Sequence, residues 1–131
     1  MRSERAPDVQ LMLDDVLERL ELAHVINSRI ICMRSYSAKA RAYARIWSLP
    51  EIWRNALEIN PFYVIEVLSE NYDNLSEEEK IKVLIHELLH IPKKFSGGLV
   101  PHVNRGGRID HRAVNILYEK YKKTLESKPK F

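Results

Sequence analysis

Apolar and polar positions near the start of the chain recur at helical spacing. Val9, Met12, Leu13, Val16, Leu17 and Leu20 fall three and four apart, with Asp14, Asp15, Glu18 and Arg19 between them. Residues 7–23 therefore predict an amphipathic helix, and Pro7 and Asp8 suit its first turn. From residue 24 to 35 the pattern changes to Val25, Ile26, Ile30, Ile31, Cys32 and Met33, a short and largely β-branched run that reads as a strand. Tyr43, Arg45 and Trp47 then alternate with Ala44 and Ile46, giving a second strand over 41–48. After Pro50, the spacing of Ile52, Trp53, Ala56 and Leu57 favours a brief helix over 51–58. Asn60-Pro61 is a break, 62–68 reads as a third strand, and Tyr72-Asp73-Asn74 as a polar connection.

The next helix has a chemically defined start. Ser76 is a good N-cap, Glu79 completes a capping box, and Glu77, Glu78 and Glu79 face the positive end of the helix dipole. From Ile81 onward this helix is apolar over most of its circumference, as in a buried helix, with a polar strip that carries His86 and His90. Pro92 ends it just after His90. A loop with Gly97-Gly98 follows, Arg105-Gly106-Gly107 is a second flexible point, and a last helix spans 109–125. Ala113, Ile116, Leu117 and Tyr121 form its expected inward stripe, and the tail from Lys128 reads as frayed. Helices and short strands in this mixed order imply an α+β fold, a small twisted sheet packed against helices, in one domain over residues 1–131.

Composition narrows the setting. With 45% hydrophobic and 30% charged residues, the chain matches a globular protein rather than a disordered one. No apolar run nears the roughly 20 residues a spanning helix needs, and no apolar stretch follows Met1-Arg2-Ser3-Glu4-Arg5, so neither membrane insertion nor a secretory leader is expected. A single cysteine, Cys32, can form neither an internal disulfide nor a thiolate zinc site, and it points to the reducing cytoplasm and to a place in the core. The net charge of +3 and pI near 9.0 allow weak contact with nucleic acid, although acidic residues are interspersed throughout.

The candidate chemistry lies in His86-Glu87-Leu88-Leu89-His90. Histidines at i and i+4 sit one turn apart on one helix face, where both imidazoles can reach one metal ion. Glu87 lies about 100° round the helix from His86, placed to take a proton from a metal-activated water. This is the H-E-x-x-H pattern of zinc-dependent peptidases. A catalytic zinc takes three protein ligands, so the chain must return a third. His102, reached by an eleven-residue spacer after His90 and just after Pro101, is one candidate, and His111 beside Asp110 is the rival. Glu87 would be the general base. Residues 62–68 could hold an extended substrate if they form an edge strand. Tyr118, Tyr121 and Arg105 could assist an oxyanion but serve equally well as packing or solvated groups, Glu66 could support a ligand, and His24 reads as structural.

His86-Glu87-Leu88-Leu89-His90-Ile91-Pro92, then Phe95-Ser96-Gly97-Gly98-Leu99 and Pro101-His102, resemble the small predicted archaeal and phage metallopeptidases of the zincin class. Ala44-Arg45-Ile46-Trp47 and Tyr63-Val64-Ile65-Glu66-Val67 share the resemblance, which covers residues 40–102. It implies a minimal zincin fold, zinc held by His86, His90 and His102, and Glu87 as catalytic base; the peptidase reading itself carries the expectation of a protein or peptide substrate. The metzincin continuation is missing, since Lys93 and Ser96 stand where that pattern needs glycine and histidine, and no thermolysin-like downstream glutamate motif is present. Two other readings stand beside the peptidase. One is a zincin-like metal-binding interaction module associated with nucleic acid, as in the SprT-like proteases that act beside DNA, and the other is a metal-dependent hydrolase of a non-peptide bond.

Overall fold

The computed structural model describes residues 1–22, 25, 29–92, 95–101, 103–104, 107–108 and 110–127. His24, His102, Arg105, Gly106, Ile109 and residues 128–131, each the subject of an expectation above, lie outside the described residues. The α+β architecture is as expected: a four-stranded mixed sheet with helices packed on it, plus a two-stranded ribbon. Among the described residues no helix is long and apolar enough to cross a membrane.

The first helix, α1 (Pro7–Leu20), buries Val9, Leu13, Val16, Leu17 and Leu20, the stripe its periodicity predicts. It ends sooner than expected because Glu21 turns into the left-handed region at φ 51°. Before it lies a strand that the pattern did not reveal, β1 (Arg2–Arg5), which pairs antiparallel with β2 (Ile30–Tyr36). All four β1 residues are exposed, so no alternation marks the segment, and pairing to β2 makes it a strand, with Ser3 bonded to Ser35 and Glu4 to Tyr36 across the pair. Where β1 stops, the Gln10 side chain takes over, donating to the Ile30 carbonyl and accepting from the Cys32 N–H.

The strands β3 (Ala44–Ser48) and β4 (Tyr63–Leu68) form where expected, and the sheet order is β1-β2-β4-β3. This corrects one expectation: β4 is interior, parallel to β2 and antiparallel to β3, and the free edge on that side belongs to β3. Five of the six β4 residues are buried, Glu66 among them, as suits a strand with neighbours on both sides. A second correction follows it, since Ser69–Tyr72 is a short helix, α3, and Tyr72 is buried rather than part of a polar connection.

Tyr63, Ile65, Val67, Ile30, Cys32 and Ala44 face the helices and share one core with α1, α4 (Glu77–Leu88) and α5 (His111–Ser127). The buried side of α5 is Val114 and Tyr121, with Leu117 and Tyr118 alongside, whereas Ile116 is 63% exposed, so its stripe is rotated from the expected one. The helix α2 (Glu51–Leu57) forms as predicted but buries no residue. Arg54 tethers it, with its guanidinium under Gly97 and its Nε donating to the Leu49 carbonyl. The ribbon β5 (Val103–Asn104) and β6 (Gly107–Arg108) brackets the expected flexible point.

The opposite face of the sheet carries a buried carboxylate. Glu66, 5% exposed, accepts from Ser35 Oγ, Arg45 Nε and Trp47 Nε1. Burial alone would raise its pKa, but these hydrogen bonds together outweigh burial and hold the carboxyl below its ordinary range. A carboxylate with a depressed native pKa stabilises the fold fully above its unfolded-state value of about 4.3, and that contribution fades as pH falls through the native value. Glu66→Gln should therefore melt well below wild type at pH 7, with the gap closing as both proteins are melted at successively lower pH toward about pH 3.

Candidate metal centre

Helix α4 begins at the predicted capping box. Ser76 Oγ accepts from the Glu79 N–H while the Glu79 carboxylate accepts from the Ser76 N–H. Regular helix stops at Leu88, two residues before His90, and Leu89 and His90 continue in a tighter turn, with the His90 N–H on the Glu87 carbonyl. Ile81, Leu84, Ile85 and Leu88 pin the helix to the core. Its remaining face, carrying His86, Glu87 and His90 with Val83, Lys82 and Glu79 on earlier turns, opens into a cavity of about 1050 Å³.

That cavity has three other walls. Ala42, Tyr43 and the first residues of β3, Ala44, Arg45 and Ile46, supply one along the free edge of the sheet. Leu99, Val100 and Pro101 supply a second, and Asp110, His111, Val114 and Asn115 at the start of α5 a third. Its size, at the upper end of the several hundred Å³ typical of ligand pockets, suits a length of extended chain.

The His86 and His90 rings lie 5.2 Å apart between centroids at 68°, as expected of i and i+4 positions. His90 is held by a specific partner, its Nδ1 lying 2.5 Å from the Val100 carbonyl oxygen. A carbonyl can only accept, so Nδ1 carries the proton and Nε2 presents its lone pair. A ring fixed by a backbone carbonyl at one nitrogen is the arrangement of metal-holding histidines, so this donor set fits a metal on the other nitrogen. The return strand is secured twice, because the Val100 N–H also donates to the His90 carbonyl at 2.7 Å. Glu87 is 7% exposed, and burial raises its carboxyl to about 7. A carboxyl in that range can accept and release a proton near neutrality.

Among the described residues no three His, Cys, Asp or Glu side chains close on one point. His111 lines the same cavity without completing such a group, and His102, the other candidate third ligand, lies outside the described residues. The remaining candidates have other partners: Tyr118 donates to Glu78, Tyr121 to Asp15, and Glu66 is engaged by Ser35, Arg45 and Trp47. Cys32 is core, 1% exposed, with its thiol pushed up to about 12 by burial.

Sequence reasoning missed Val100, which acts through its backbone and leaves no side-chain signature. It also missed Tyr63, whose fully buried hydroxyl accepts from the Gly97 N–H and donates to the Gly98 carbonyl, both at 2.9 Å. The available signal was chemical: a tyrosine in a buried strand must find a partner for its O–H.

The loop depends on Gly97, at φ +93°, where an added Cβ would meet Arg54 Cζ at 2.7 Å, whereas a Cβ at Gly98 would meet nothing. Gly97→Ala should therefore lower unfolding free energy by about 1–2 kcal/mol in urea titrations, and Gly98→Ala should change it by less than about 0.5 kcal/mol.

A family model described as "Putative phage metallopeptidase" matches residues 1–126 of the chain. No curated protein and no solved structure matches it.

Proposed function

Because the chain belongs to this phage metallopeptidase family, we propose that it is a zinc-dependent peptidase whose centre is held by His86 and His90, with His102 as third ligand and Glu87 as general base. The observation that carries the reading is that His86, Glu87 and His90 open into one cavity, with His90 fixed through Nδ1 by the Val100 carbonyl. When bound, zinc would supply Lewis-acid polarisation of a carbonyl and a lowered pKa for water. Imidazole nitrogens are suitable donors for it.

The chain's own residues account for the remaining steps. Glu87 takes the proton of the attacking water and returns it to the departing amine, and its burial keeps bulk water from competing. The free edge of β3 offers unpaired backbone groups on the cavity wall, so an extended polypeptide can add to the sheet there, the role the sequence pattern had given to 62–68. Val83, Leu99, Val100 and Val114 make parts of the cavity apolar, which suits extended or unfolded polypeptide. One domain over residues 1–131 holds all the named groups, and the single buried thiol of Cys32 suits a reducing, cytoplasmic setting.

The test measures elemental metal and cleavage of an unfolded protein such as casein side by side. Wild type should hold near-stoichiometric zinc and cleave. Glu87→Gln should keep the zinc and lose cleavage by a factor on the order of 10² to 10⁴. His102→Ala should lose the metal and His111→Ala should keep it. Zinc-free wild type after reconstitution would sink the reading, and the reverse result for the two histidines would move the third ligand to His111.

A further inference from the structure

We propose that Tyr63 is a positioning residue of the metal centre: its hydroxyl clamps the Gly97–Gly98 turn and so sets the Val100 carbonyl that orients His90. The inference rests on the zinc reading above. Tyr63 opens β4 on the core side of the sheet and is 0% exposed. It is not among the residues that line the cavity, yet one hydroxyl satisfies two successive residues of the loop, accepting from Gly97 N–H and donating to Gly98 carbonyl at 2.9 Å each.

The rest of the turn leaves little freedom. Phe95, 7% exposed and at φ 49°, packs its ring edge-on to Tyr63 with centroids 5.0 Å apart. The Arg54 guanidinium lies so close to Gly97 that an added Cβ would meet it at 2.7 Å. Two residues after Gly98 the chain reaches Val100, whose N–H and carbonyl both engage His90. Interior strand, turn and ligand thus form one chain of hydrogen bonds, and the same turn leads through Pro101 into His102. A carbonyl displaced by a few tenths of an ångström tilts the His90 ring, so the clamp acts on metal affinity through a second residue.

Tyr63→Phe keeps the ring contact with Phe95 and deletes only the clamp. Zinc affinity is measured by competition with a chromophoric chelator, at a temperature where the metal-free proteins are folded by circular dichroism. Wild type, Tyr63→Phe, His90→Ala and the double variant are compared, with cobalt(II) absorption spectra as a report of ligand geometry. Tyr63→Phe should weaken zinc binding on the order of tenfold or more, alter the cobalt spectrum, and have little further effect once His90 is gone. Should Tyr63→Phe not fold, Gly97→Ala, which shifts the same turn from the Arg54 side, should weaken zinc binding in the same direction. Unchanged zinc affinity in a folded Tyr63→Phe, even with a lowered melting temperature, overturns the inference and leaves the zinc reading standing. An equal loss in the His90→Ala background also overturns it, because the effect then does not pass through His90. A wild type that takes up no zinc overturns both.

Discussion

The paired hydrogen bonds between His90 and Val100 are the constraint on which the site depends. Pro92 forces the chain off the axis of α4 immediately after the motif, and a helix end leaves carbonyls without partners. The Val100 N–H meets one of these, on His90 itself, while the Val100 carbonyl takes the ring Nδ1. Backbone satisfaction and imidazole orientation are therefore a single event. If the return strand slipped by one residue, the helix end would lose its partner and the ring its tautomer.

The orientation of α4 has electrostatic consequences. Its N-terminus, with three glutamates and a reciprocal cap, is well satisfied at the surface, while its C-terminus points into the site. The last turn of a helix carries partial negative charge, which favours a cation within that turn. His86 and Glu87 lie in that turn and His90 in the tighter turn that follows it, so helix and motif bias the same place toward a cation. Burial of Glu87 adds a carboxyl with no ion pair among the described residues, in contrast to Glu66, which burial would also raise but which Arg45, Ser35 and Trp47 hold low. Two glutamates with similar burial thus serve opposite ends, and their hydrogen-bond partners make the difference.

Most of the helical content and the motif were legible because their information is local. The periodicity of α1 named its buried residues, and Ser76 and Glu79 marked where α4 starts. What escaped was pairing. Nothing in Arg2–Arg5 signals a strand, since its pairing is with β2, through backbone and the side chains of Ser35 and Tyr36, and not with its own neighbours in sequence. The β4 run identifies a strand but does not say which side stays free, so the edge expected at 62–68 fell on an interior strand. In α2 the spacing of Ile52, Trp53 and Leu57 predicts a helix correctly, yet periodicity cannot say whether another element covers that face, and here all three are more than half exposed. In α5 the inward face turned by one position, because Val114 rather than Ala113 meets the core. The candidate site divides the same way: the spacing of two histidines and a glutamate is local and places them on one cavity, whereas the Val100 carbonyl and the Tyr63 hydroxyl meet their partners only once the loop is closed.

The free edge of β3 shows how a sheet can leave backbone groups unpaired without inviting aggregation. An open edge is a template for any passing strand, and proteins blunt it with shortness, charge or cover. Here the strand is five residues long, and Arg45 and Trp47 are drawn onto one oxygen of Glu66, which fixes the strand against β4 from within. The cover comes from α4 and α5, whose residues face the edge across the cavity. A folded partner's sheet would have to enter between those helices to pair with it, whereas a single extended segment needs only the width of one strand, about 4.8 Å. The same walls that shield the edge therefore leave room for one extended segment beside it, on the cavity that Glu87 also lines.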